Sequence, residues 1–176
     1  MNKKKMKSFI LLVPLIFLCM SILAFIPIKQ ALVFEYQNTG NVLAYIPISK
    51  KSTFKIKYTH SIHLSDVVES YEPTNEGRIK QYELMFEDFA IGMPSDAAEG
   101  EIFEEKDGKY YIKNMNRIFT HFDLRVGRVK ANHTLLYEKQ EYPLVNFFEK
   151  GTWVRIKISD LNIVQLMKGV NIIESK

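Results

Sequence analysis

The order of hydrophobic and polar positions divides the chain into two unlike parts. From Ser8 to Ile28 the residues are apolar and uncharged. About twenty such residues, at about 1.5 Å each in a helix, are long enough to cross a hydrocarbon core. From Leu32 onward, short runs rich in β-branched and aromatic residues alternate with turn formers, the pattern of an antiparallel all-β domain. The runs predict strands at 32–36, 42–48, 53–60, 67–71, 79–86, 101–105, 110–113, 119–126, 133–138 and 153–158. Asn38-Thr39-Gly40-Asn41 and Lys106-Asp107-Gly108-Lys109 fall between such runs, and their Gly residues supply the positive φ of tight hairpins. One helix is predicted inside the domain, near Leu161 to Lys168, with Asp160 as its N-cap. The predicted fold is thus all-β and mainly antiparallel, a sandwich or a partly closed barrel, preceded by one N-terminal transmembrane helix.

Charge sharpens this division. The net charge of +4 looks basic, but Lys3, Lys4, Lys5, Lys7 and Lys29 flank the apolar segment, and residues 32–176 carry 19 basic against 20 acidic groups. Four lysines before the segment and one after it place the N-terminus inside and the domain outside by the positive-inside rule. The organisation predicted is a basic n-region over 1–9, an anchor or uncleaved signal over 10–28, and an extracytoplasmic β domain over 32–176, held at the cell membrane by a single pass. No A-x-A cleavage site follows the segment, since Ile22 stands two residues before Ala24. Cys19 follows the bulky Leu18, which argues against lipidation, and a domain without cysteine relies on packing and not on disulfides. A neutral domain with no basic-aromatic stretch is poorly suited to nucleic acid.

Candidate chemistry concentrates on one hairpin. In residues 53–60, Phe54, Ile56, Tyr58 and His60 share one face and Lys55, Lys57 and Thr59 the other. If Ser61 to Ser65 turns the chain back, Val67, Glu69 and Tyr71 share the inward face of the next strand, so His60 and Glu69 point the same way. A histidine and a carboxylate with Tyr58 and Tyr71 nearby and Ser61 at the turn can bind a ligand or act as an acid-base pair. They can also satisfy one another and fix the register. No G-x-S-x-G elbow is present, and neighbouring His60 and Ser61 project to opposite faces, so a catalytic serine is not expected. His60, His63 and Glu69 lack a metal-site spacing and have no cysteine beside them, so neither metal nor cofactor is expected. His121 and His133 stand alone on predicted strands. The stretch from Phe86 to Gly100 has loop chemistry, with Phe89, Ile91 and Met93 placed to cover one end of the sheet and Ser95 and Asp96 placed at its surface.

These residues resemble the bacterial domain of unknown function numbered 1850. The resemblance rests on Y-T-H-S at Tyr58 to Ser61, V-V-E at Val67 to Glu69, F-A-I-G-M-P at Phe89 to Pro94, R-V-G-R-V-K-A-N-H-T-L-L-Y from Arg125, and G-T-W-V-R-I-K-I from Gly151. It covers roughly residues 52–158 and departs at Ala90, where the family pattern tends to a glycine. It implies a small exported protein that accompanies tripartite ATP-independent transporters using a TAXI solute receptor. Carried onto this chain, its motif positions are His60, Ser61, Glu69, Gly92 and Pro94. The expected function is a membrane-anchored accessory or binding module that assists solute uptake, contacting a transporter permease, a solute receptor or a small organic ligand. The alternatives are an exported hydrolase using His60 and Glu69 and a purely structural envelope protein.

Overall fold

The computed structural model describes residues 3–88, 93–127 and 132–175, with side chains in the first helix described from Leu12. Helix α1 (Lys3–Ala24) carries Pro14 and apolar residues on all sides, and Leu12, Leu15, Ile16, Phe17, Leu18, Met20, Ile22 and Leu23 are all exposed. Among the described residues no helix is long and apolar enough to cross a membrane. The helix stops at Ala24, four residues before the end of the apolar run. Pro27 and Ile28 already belong to strand β1 (Pro27–Tyr36), which therefore starts five residues earlier than its hydrophobicity predicts. The cause is pairing: β1 is a central strand, held on one side by β2 (Val42–Pro47) and on the other by β11 (Trp153–Asn162), and the β11 ladder reaches back to Pro27.

Two sheets stack and neither closes on itself, so of the two architectures predicted the sandwich is the one formed. The five-stranded sheet runs β12-β2-β1-β11-β8, where β8 is Phe122–Arg125 and β12 is Val170–Asn171. The seven-stranded sheet runs β10-β9-β3-β4-β5-β7-β6, built from β3 (Phe54–Thr59), β4 (Asp66–Pro73), β5 (Ile79–Phe86), β6 (Ile102–Lys106), β7 (Lys109–Phe119), β9 (Thr134–Tyr137) and β10 (Gln140–Pro143). All pairs are antiparallel except β12 with β2. The predicted hairpin turns hold: Gly40 lies at φ +76°, and Asp107 and Gly108 both take positive φ, as a type I′ turn requires. The single strand predicted over 119–126 is instead two. The chain breaks at Thr120 and His121 and passes from the seven-stranded sheet to the edge of the other. Strands β10 and β12 carry too little hydrophobic alternation to be read from sequence and form as edge pairings.

Alternation in β11 sends Val154, Ile156 and Ile158 into the core, where they meet Leu32 and Phe34 of β1 and Phe54, Ile56, Leu135 and Tyr137 of the other sheet. On the outer side of the five-stranded sheet a smaller cluster of Ala31, Val33, Tyr45 and Leu161 is covered by Leu166 of α2 (Ile163–Lys168). Its N-cap is Asn162 and not Asp160. Asn162 accepts from the Gln165 amide while Gln165 accepts from the Asn162 amide, a complete capping box. The strand ladder extends through Asn162 and forces the cap two residues later. After α2, Gly169 passes so close to the sheet that a Cβ there would lie 2.9 Å from Val42 Cγ1. Replacing Gly169 by alanine is therefore expected to cost about 1–3 kcal/mol through overpacking, read as a lower midpoint of thermal unfolding.

Candidate functional site

The seven-stranded sheet is wider than the sheet that covers it, and its inner face is split between two apolar clusters. Phe54, Ile56, Tyr71 and Ile79 pack against the five-stranded sheet. Val67, Leu84, Phe86, Ile112 and Met115 pack instead beneath the loop after β5, through Met93 and Ala97. Tyr58 touches both clusters. Glu69 lies on β4 between Tyr71 of the first cluster and Val67 of the second, with Ile56 as its partner on β3 and Leu84 on β5. A carboxylate therefore sits on the seam of an otherwise apolar face, half-buried.

The Tyr71 hydroxyl donates to Glu69 Oε2 at 2.7 Å. A carboxylate has about four acceptor positions, and among the described residues Tyr71 is the one hydrogen-bond donor and no cation pairs with it. Burial raises the Glu69 carboxyl above its usual range, and the Tyr71 hydrogen bond only partly offsets this. The same surroundings act on the phenols. Burial and then the Glu69 charge push Tyr58 up to about 12, and burial, the Glu69 charge and the hydrogen bond raise Tyr71 further. The Tyr71 ring is held between Phe54 at 5.3 Å and Phe122 at 5.0 Å, both stacked, and Tyr58 leans on His133 at 5.5 Å. Phe122 and His133 come from β8 and from the segment entering β9, far from the hairpin in sequence. No local pattern marks them as neighbours; crossing of the chain between sheets brings them there.

The turn expected over Ser61 to Ser65 forms. Thr59 pairs with Asp66, and the His60 amide donates to the Ser65 carbonyl at 2.8 Å. His60 lies four residues beyond Ile56, the partner of Glu69, so about 13 Å of strand separates the two and Tyr58 stands between them. Sharing a face does not place them in contact. His60 has its ring 6.0 Å from that of His63, and among the described residues its buried Nδ1 has no hydrogen-bond partner. Ser61 is exposed at the turn. Pro94 is half-buried at the start of the described part of the loop, Ser95 and Asp96 are exposed, and Gly92, Phe89 and Ile91 lie outside the described residues. Among the described residues no group of three or more His, Cys, Asp or Glu side chains is placed to hold a metal ion.

The sign of the Glu69 shift makes one prediction. A carboxyl raised in the folded state stabilises the fold below the ordinary carboxylate range, and that contribution is lost as pH rises through its folded value. Glu69→Gln keeps an oxygen for Tyr71 and removes the charge. It is expected to melt higher than the parent at neutral pH, with the difference closing as the pH is lowered; equal melting at all pH values would contradict this placement of Glu69.

The fold and site together define a two-sheet β-sandwich with an acidic, tyrosine-flanked seam on its wider sheet. The model of a family described as a domain of unknown function (DUF1850) matches residues 54–144, just over half of the chain and the segment that contains this hairpin and the loop after β5. The chain belongs to that family. No curated protein and no solved structure matches it.

Proposed function

We propose that this chain is a membrane-anchored, extracytoplasmic binding module that assists uptake of a small organic solute by a secondary transporter. The observation that carries the binding reading is Glu69: a half-buried carboxylate on an apolar face, held among the described residues by one tyrosine, with acceptor positions open and no cation beside it there. Such a group is costly to a fold unless something hydrogen-bonds to it. A ligand or partner carrying an ammonium, amide or hydroxyl donor supplies what the described residues do not. The separation of His60 from Glu69 favours this reading over an acid-base pair in an exported hydrolase.

The anchor reading is supported by α1, whose described side chains from Leu12 onward are largely apolar and exposed, an arrangement at ease in lipid and not in water. The link to transport comes from the family resemblance, and an anchored domain gains effective concentration beside a permease or a solute receptor. In cells, Glu69→Gln is expected to abolish solute uptake that depends on this protein while the purified variant folds normally. Undiminished uptake would remove Glu69 from the function, and loss of folding would favour the purely structural role.

A further inference from the structure

We propose that α2 forms a second contact with the membrane, laying an apolar stripe on the bilayer surface beside the point where α1 leaves it. The inference rests on the reading of α1 as an anchor. Leu166 packs inward from α2 onto the sheet, while Ile163 and Met167, four residues apart, lie together on the adjoining side of the helix, and Val170 follows just past its end on β12. All three are exposed, Met167 to 84%. Single exposed apolar residues are ordinary on a protein surface, but these are not isolated. Phe25, Ile26 and Ile28, also exposed, connect α1 to β1.

Two features hold the two groups at the same level. Pro27 pairs with Asn162, the cap of α2, and a cleft of about 360 Å³ is lined jointly by Phe25 and by Val164, Gln165 and Lys168 of α2. If α1 crosses the bilayer up to Ala24, Phe25 to Ile28 lie among the headgroups, and α2 lies there with them. An apolar stripe seated about 5–10 Å into the headgroup and acyl boundary is the known habit of interfacial helices. Lys29 and Lys168, both exposed, stand beside the stripe, where long basic side chains reach toward lipid phosphates. The occupant that fits is thus an anionic bilayer surface. The contact would restrain rotation of the sandwich about α1, because two attachments define an orientation where one does not.

Cys19 is the chain's single cysteine, which makes depth labelling direct. The full chain is reconstituted into phosphatidylethanolamine and phosphatidylglycerol vesicles in a Cys19→Ala background, with a polarity-sensitive fluorophore on Met167→Cys. A matched sample carries the label on Lys55→Cys, on the opposite outer face of the sandwich. The label at 167 is expected to shift to the blue and to lose most of its emission to lipids bearing a nitroxide near the headgroup, while the label at 55 does neither. A chain that floats with the vesicles but keeps the label at 167 as water-exposed as that at 55 would overturn the α2 contact alone. A chain that does not float with the vesicles would overturn the anchor, and the α2 contact with it.

Discussion

Replacing Phe34 by alanine is expected to cost the domain about 3–5 kcal/mol, a large part of the roughly 5–15 kcal/mol that holds a typical domain folded. Phe34 is fully buried on β1, the middle strand of the five-stranded sheet, and its ring lies 5.5 Å from that of Phe148. Its neighbours are committed to their own sheets, Ala44 and Ile156 by the ladders on either side of it, so the void left by the ring cannot collapse without shifting paired strands. The effect reaches function because this sheet is what covers Tyr71 and ends at Phe122, one wall of the seam around Glu69. Urea unfolding would show the midpoint falling at nearly constant slope. A change below about 1 kcal/mol would mean the two sheets are not packed through this residue.

The second large effect is expected at Lys157. On the outer side of the same sheet Glu35 is only 2% exposed, yet it is charged: Lys157 pairs with it and the Gly40 amide donates to Oε1 at 2.6 Å. Burial alone raises this carboxyl, but the Lys157 hydrogen bond, the Gly40 amide and the charges of Lys157 and Arg155 outweigh it and hold the carboxyl below its usual range. Lys157→Met strands the carboxylate with little but the amide. Breaking a buried pair from one side costs about 3–5 kcal/mol, and the lower end applies because the lysine is about one-third exposed. Glu35 stabilises the fold above the ordinary carboxylate range and loses that contribution as pH falls through its folded value. Lys157→Met should therefore flatten the acid side of the stability curve. Glu69 has the opposite sign, so melting the two variants across pH separates the two contributions; an unchanged acid limb in Lys157→Met would show that Glu35 does not depend on its lysine.

The hairpin shows how far local pattern reaches. Two-residue alternation put Phe54, Ile56 and Tyr58 on one face and Glu69 and Tyr71 on the matching face, and the ladder pairs Phe54 with Tyr71 and Ile56 with Glu69. Parity says nothing of distance along the strands, which is why His60 shared a face with Glu69 in the sequence reading and yet stands about 13 Å away along the strand. The same limit hid Phe122 and His133, whose places depend on the crossing between sheets at Thr120 and His121. It also moved the helix cap from Asp160 to Asn162, since pairing with β1 outlasts the hydrophobic alternation of β11.

What the amino-acid sequence determined by itself was everything set by near neighbours: an apolar N-terminal helix flanked by lysines, a neutral β domain, two hairpin turns at Gly40 and Gly108, and the side of the sheet to which Tyr58, Glu69 and Tyr71 belong. Each follows from residue type and a period of two, which act over a few positions. Which parts of that face are covered, and by what, is set by the packing of the sheets and the loop. Because the five-stranded sheet and the loop after β5 cover different parts of the wider sheet, the boundary between them falls on Glu69. That outcome depends on packing between elements far apart in the chain, where no periodicity carries information.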